Sequence, residues 1–450
     1  MKRTSILSAA LGMAFMLSAQ TLEIQTGTVT TLVPAGQASY MPFSDSGRIL
    51  TVCGKDFQTA DISQLTFSET AVNDSTVYVQ YNGTAAAVVM PAALAAYLTV
   101  DVDGANVSIL QGDELSREVT YELRGASDDG SFSMDGKLKA TVVLNGLSLT
   151  SADGAPIDIA NGKRINVVLA NETVNTLADA ASGLQKACFF VNGHAEFSGG
   201  GVLNITGNAK HGYRSDEYTE LKKSFTGTIN ILSAVSDGMH VEQYFEMKNG
   251  TVNIANVGAD GLDVPATTDS TDVNNGRIFF EGGVLNVTTD GDDVKTVKAD
   301  SVIIVSAGEM NLTCNGDGAK GMSCKGTVTI DGGKVVVSSL GGIFDEDLDT
   351  ESKPNGIKAS GSLTINGGEV YVVAKNKALN TDLTNIYING GTVLAVGAKA
   401  APAAKGNQAV KVYSKQKIAA GATLTYGQVS YTVPSKFSLS NASVLVSPSE

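Results

Sequence analysis

The chain has 450 residues with 49 glycines, 9 prolines, no tryptophan and 17% charged residues, against 43% hydrophobic ones. That apolar share excludes a disordered chain, and abundant glycine without a G-X-Y period excludes collagen. A net charge of −14 argues against nucleic acid or an anionic membrane as partner and leaves room for hard cations.

Residues 1–20, MKRTSILSAALGMAFMLSAQ, set Lys2 and Arg3 ahead of an apolar run and end on Ser18, Ala19 and Gln20. This is the pattern of a secretory signal peptide, so the expected location is secreted, periplasmic or at the cell surface. No later apolar stretch is long enough for a spanning helix, and none is expected. Residues 21–118 carry strand-like pieces such as STVYVQY and YLTVDV without a period, and read as an irregular β region. Longer strands begin at 119 (VTYELRG, ATVVLNGLSLTS, RINVVLAN). Residues 410–450 are β-like again and are expected to cap an open end.

The intervening span, 119–409, is periodic. A glycine precedes a short apolar strand at Gly201, Gly227, Gly250, Gly283, Gly308, Gly333, Gly368 and Gly391, with steps of 23–26 residues and two longer ones of 33 and 35. The strands that follow alternate in polarity: VLNIT, TINIL, TVNIA, VLNVT. A second strand ends in a turn, as in TVTIDGG, and a third follows an Asp-Gly turn, as in SDGMHV and ADGLDV. Three short strands and three turns in ~24 residues describe one coil of a parallel β-helix, whose inward residues stack coil on coil. Propeller blades of ~40–50 residues do not match this period. The expected fold class is all-β, a single-stranded parallel solenoid between an irregular N-terminal β region and a C-terminal β cap.

Two polar columns follow from the period. Asn204, Asn230, Asn253, Asn286 and Asn311 occupy one coil position and are expected to face outward. Either their amides hydrogen-bond the hydroxyls of an extended sugar chain, or they bond one another and hold the stack. The second column is Asp237, Asp260, Asp292 and Asp317, with His211 one coil earlier. Three residues further on stand Arg214, His240, Asp263, Lys295, Lys320 and Lys358. Asp-Gly is first a turn signal. Carboxylates repeated on every coil also repel unless lysines or a cation neutralise them, so Asp237, Asp260, Asp263, Asp292, Asp293 and Asp317 are candidate Ca²⁺ ligands. Arg214, His240, Lys295 and Lys320 join the asparagines as candidate sugar-binding residues. Two insertions, 265–276 and 341–356, leave the solenoid as acidic loops. The second lacks the glycine and glutamate of an EF-hand, so that reading is rejected.

Cys53, Cys188, Cys314 and Cys324 are expected as buried thiols rather than bridges, with Cys314 and Cys324 the only pair close in sequence. No GxSxG, HExxH, P-loop or dinucleotide fingerprint is present. An enzyme on this scaffold would be a Ca²⁺-dependent lyase with an Arg or Lys base, and a surface adhesin or structural solenoid is a further alternative.

The segments VVLNGLSLTSADGAPIDI, NGKRINVVLANETVNTLAD and FSGGGVLNITGNAKHGYRS, with the repeated DG turns, resemble a family of secreted bacterial carbohydrate-binding proteins over roughly 119–397. The resemblance implies a right-handed β-helix similar to pectate lyases. It also implies Ca²⁺ in the solenoid and binding of plant polysaccharides such as cellulose or polygalacturonate. His211 and Asp293 depart from the family pattern, where Asp and Gly are usual.

Overall fold

Each alternating strand finds its partner one coil further along the chain. The computed structural model describes residues 20–269, 271–345, 351–383 and 385–448. The expected signal peptide, but for Gln20, and the acidic residues Glu346, Asp347 and Asp349 lie outside them.

Val202–Gly207, Thr228–Ala234, Thr251–Ile254, Val284–Thr289, Glu309–Cys314, Lys334–Ser339, Glu369–Ala374 and Thr392–Gly397 pair in parallel, each with the next, as a first ladder. A second runs from Ala195–Gly199 through Thr219–Phe225, Tyr244–Met247, Arg277–Phe280 and Val302–Val305 to Ile386–Ile388. A third runs from Ala105–Gln111 through His211–Ser215, Met239–Val241, Leu262–Val264, Lys295–Ala299 and Lys320–Cys324 to Leu379–Thr381. The first two join in one 28-stranded sheet, because Ala140–Thr150 pairs with Ile165–Leu169 by its first half and Val174–Ala178 by its second. The third is a separate 12-stranded sheet. Among the described residues, only Ala92–Ala95, Ala35–Gln37 and Asp45–Gly47 form helical turns. The protein is all-β with large, mainly parallel sheets.

The period of two decides what is buried. Leu203, Ile229, Val252, Leu285 and Met310 stack on successive rungs and are at most 1% exposed. They share one core with Phe197, Leu221 and Phe245 of the second ladder and Tyr213, Met239 and Leu262 of the third. Each such side chain contributes roughly 1.5–3 kcal/mol of burial before conformational entropy is subtracted. Gly308 shows why the anchoring position is glycine. Its φ is +82°, and a Cβ there would meet the Gly283 carbonyl oxygen and the Phe280 ring at 2.7 Å each.

The N-terminal region is ordered rather than irregular. Thr21–Thr26 pairs antiparallel with Val29–Pro34 and with Ile62–Ser68, and Thr76–Asn82 with Ala85–Pro91. Tight hairpins carry no coil-length repeat, which is why no period was visible. The expected boundary at 118/119 falls between strands of shared sheets. Thr76–Asn82 runs parallel to Val119–Ser127, and Ala105–Gln111 to Gly130–Asp135. At the other end Leu439–Ser447 turns antiparallel onto Thr392–Gly397 and builds a second core from Leu394, Val396, Phe437 and Val444. The four cysteines are free. Cys188, Cys314 and Cys324 are buried as expected, but Cys53 is exposed. It sits at φ +49° with Gly54 in the turn between Ile49–Val52 and Lys55–Gln58, past the end of the strand whose Leu50 and Val52 are buried.

Candidate functional site

The asparagine column faces outward from the first ladder as a chain of amides. The Asn230 Nδ2 donates to Asn204 Oδ1 at 2.8 Å, Asn253 to Asn230 at 2.8 Å, Asn286 to Asn253 at 2.7 Å and Asn311 to Asn286 at 2.9 Å. The amides therefore bond one another; Asn230, Asn253 and Asn286 each keep one N–H and one lone pair for a ligand, whereas Asn311 gives its second N–H to Glu309 Oε1 at 3.3 Å. A shallow hollow of about 270 Å³ lies beside Asn230, Asn253 and Asn286, with Leu232 47% exposed at its side.

The expected Asp column does not continue as one line. In the third ladder Arg214 pairs with His240, His240 with Asp263, Asp263 with Lys298, Lys298 with Ser323 and Ser323 with Lys358. Lys295 and Lys320 pair with each other three positions earlier, on the level of Asp260. The cause is coil length. Eight residues separate Ile231 from Met239 and Ile254 from Leu262, but ten separate Val287 from Val297 and Leu312 from Met322. The two extra residues form a separate turn layer that carries Asp292 and Asp317. There the Asp317 N–H donates to Asp292 Oδ1 at 2.7 Å and the Gly342 N–H to Asp317 Oδ1. The candidate sugar-binding residues thus fall on two faces: the asparagines on the first ladder, and Arg214, His240, Lys295 and Lys320 on the third.

Around Asp237 the third ladder buries charge. The His211 Nδ1 lies 3.2 Å and the His240 Nδ1 3.0 Å from Asp237 Oδ2, and His240 Nδ1 is also 3.2 Å from Asp263 Oδ2. The two rings stack at 4.6 Å between centroids. The Lys298 ammonium sits 3.0 Å from Asp260 Oδ2 and 3.1 Å from Asp263 Oδ1. The Asp260 N–H donates to Asp237 Oδ1 at 3.0 Å, which fixes that carboxylate. Arg214 turns to Asp216 at 2.6 Å and Glu242 at 2.5 Å.

These contacts set the titration. Burial lowers the His211 imidazole below its ordinary value, and Asp237 only partly offsets it. Burial also presses on His240, but hydrogen bonds to Asp237 and Asp263 outweigh it and carry the group up to about 9. Burial opposes the Asp237 carboxylate, yet the two imidazoles hold it well below the usual aspartate range. Burial raises the Asp260 carboxyl in spite of Lys298. Calcium asks for six to eight oxygens at ~2.3–2.6 Å. It does not fit here, because two imidazole nitrogens and an ammonium stand among the carboxylates. Asp293 likewise spends its charge on Lys320 at 2.9 Å and on Ser352. Of the six candidate calcium ligands, Asp292 and Asp317 are the two exposed ones, and neither has an ion-pair partner among the described residues.

A polar groove of about 610 Å³ opens beside this edge, bounded by Lys295, Lys320 and Lys358 from the ladder and by Ser352 and Lys353 from the second insertion. Short strands at Phe344–Asp345 and Glu351–Ser352 pair antiparallel and hold that insertion against the groove. The Lys320 ammonium donates to Asp293 Oδ1 at 2.9 Å, to the Gly318 carbonyl at 3.0 Å and to Ser352 Oγ at 2.7 Å. Lys298, Lys353 and Ser352 were not singled out from the sequence. Lys298 is hidden by the two-residue change in coil length, and the other two lie on the insertion.

A protein from Acetivibrio thermocellus described as a carbohydrate-binding domain-containing protein is 28% identical over 122 residues, which is 25% of this chain and 42% of that protein. The chain thus spans less than half the length of this relative. A solved structure of a polysaccharide lyase-like protein from C. thermocellum, a gadolinium derivative, covers 57% of this chain and 96% of its own at 19% identity and a TM-score of 0.46. A family model matches residues 103–401. That match takes in more than half of the protein and begins two residues before Ala105–Gln111, the first strand of the third ladder, and the chain belongs to the family of carbohydrate-binding domain-containing proteins.

Proposed function

We propose that the protein is secreted, that its three ladders close into a right-handed single-stranded β-helix, and that it binds an extended, acidic plant cell-wall glycan with the help of calcium. The observation that carries this reading is the 610 Å³ groove, whose Lys295, Lys353 and Lys358 meet uronate carboxylates while Ser323, Asn355 and Asn380 meet ring hydroxyls. A chain with a net charge of −14 needs such a local reversal of sign to hold a polyanion. Calcium enters at the exposed turn layer, where one oxygen each of Asp292 and Asp317 takes a backbone N–H and the other is free to share an ion with the glycan. The neutral amide face of the first ladder suits a second, uncharged glycan such as cellulose.

Affinity electrophoresis through polygalacturonate, with and without a chelator, tests the reading. Retardation is expected, weakened by chelation and by Lys353→Ala with Lys358→Ala. Equal mobility in gels with and without the glycan overturns it. A calcium-dependent lyase is the second reading, favoured by Lys320, whose ammonium burial presses below the ordinary lysine value inside the same groove. Its three acceptors leave no donor free, so a proton-accepting role would require Asp293 and Ser352 to let go. Appearance of unsaturated, ultraviolet-absorbing products from polygalacturonate decides for the lyase, and their absence for the binder.

A further inference from the structure

The geometry points to a transition-metal site, distinct from any calcium site, at His211, Asp237, His240 and Asp263, for an ion of the zinc class. Each residue offers one donor atom, and the His211, Asp237 and His240 donors all lie within 4.8 Å of one another. The separations along the chain of donors are 3.2, 3.0 and 3.2 Å. Around a tetrahedral zinc with bonds of ~2.0–2.2 Å, neighbouring ligand atoms stand about 3.3 Å apart. The His211, Asp237 and His240 donors are therefore already grouped as part of a coordination shell, and Asp263 Oδ2, 3.2 Å from His240 Nδ1, supplies the fourth ligand by moving toward the ion.

Two further observations point the same way. The His211 Nδ1 is buried without a hydrogen-bond partner in a residue only 3% exposed. Asp237 Oδ2 lies 3.2 Å from it without hydrogen-bond geometry. An orphaned imidazole nitrogen aimed at a carboxylate costs stability unless something sits between them. Once an ion displaces the His240 proton, Asp237, Asp260 and Asp263 against Lys298 leave two negative charges, which one divalent ion cancels. The Asp260 N–H on Asp237 Oδ1 orients the carboxylate from behind, as outer partners of metal ligands do. Two imidazole and two carboxylate donors select a borderline ion over calcium. Access runs past His240, whose side chain is 15% exposed against 4% for His211.

The test uses the whole chain stripped of metal by a chelator and titrated with Co²⁺, Zn²⁺ and Ca²⁺. One equivalent of Co²⁺ is expected to give the visible absorption of a four-coordinate site, to be displaced by Zn²⁺, and to resist a hundredfold excess of Ca²⁺. Zn²⁺ is expected to raise Tm by mass action. His240→Gln should remove the cobalt band and weaken zinc binding by at least roughly tenfold. A wild-type protein without the band, a band that survives His240→Gln and His211→Asn, or cobalt displaced by Ca²⁺ would each overturn the site. If either variant fails to fold, the wild-type spectrum and the calcium competition still decide.

Discussion

The outward columns of the first and third ladders solve one problem in opposite ways. Both repeat a polar side chain at the strand spacing of ~4.8 Å. In the first ladder the residue is a neutral amide, which carries its own donor and acceptor, so five in a row bond head to tail and nothing accumulates. In the third the residues are ionic, and a repeated sign would repel. There the column runs Arg214, His240, Asp263, Lys298, Ser323, Lys358, and the carboxylate sits between cations. A stacked ladder can repeat an amide freely, whereas in this column the buried carboxylate is set between cations.

The contrast predicts that the third ladder is fragile to truncation. Asp263→Ala removes the carboxylate that His240 and Lys298 share and leaves each with one partner, Asp237 and Asp260. Loss of ~2–4 kcal/mol is expected in urea unfolding, since two charge-assisted contacts go together. The backbone of the first ladder has its own weak point. Gly308→Ala combines a positive φ with two sub-van-der-Waals contacts, and a loss of roughly 2–4 kcal/mol is expected by the same measurement. A value near zero for Asp263→Ala would remove the alternation argument, because the column would then be solvated rather than paired.

Proton linkage separates the two faces further. His240 gains carboxylate partners on folding and its value rises to about 9, from ~6.5 in the unfolded chain. Its contribution is therefore fully present below about pH 6.5 and is lost as pH climbs through 9. His211 has the opposite sign: its lowered value favours the neutral ring, so its share is present above about pH 6.5 and disappears on acidification. The stability difference between wild type and His240→Gln should shrink by ~3 kcal/mol between pH 6 and 9.5. Variants of the amide column should show no such slope. A flat difference for His240→Gln would mean that the imidazole is not held between Asp237 and Asp263.

This contrast also explains what could be read in advance. The rungs announce themselves because Leu203, Ile229 and Val252 must all be apolar, and the amide column because five asparagines are one letter. Repetition of identity is visible in a sequence. Alternation is not: an Arg, a His, an Asp and a Lys that share a column look like scatter until coil length is known. The two residues added before Lys295 and again before Lys320 moved Asp292 and Asp317 into a turn of their own and put Lys298 where a lysine three positions earlier was expected. The N-terminal hairpins escaped for a related reason, since antiparallel pairing leaves no period to find.

The smallest effect is the most discriminating about the amide column. Each amide donates toward the preceding rung, so the column has a direction. Asn253→Asp keeps the oxygen that accepts from Asn286 Nδ2 but replaces the donor to Asn230 Oδ1 with a second acceptor. One bond is lost and two oxygens face each other, which should cost about 1–2 kcal/mol at pH 7. Lowering the pH until the new carboxyl protonates restores a donor, so the deficit relative to wild type should narrow. Asn253→Val removes both bonds together from a half-buried position that Val336 occupies two rungs beyond Asn286. Its cost should stay below that of Asp, within about 1 kcal/mol, because an apolar replacement leaves only Asn230 and Asn286 to turn to water. If Val proves worse than Asp, the amides contribute to stability as a continuous chain rather than bond by bond, and the column is held together by polarisation along its length.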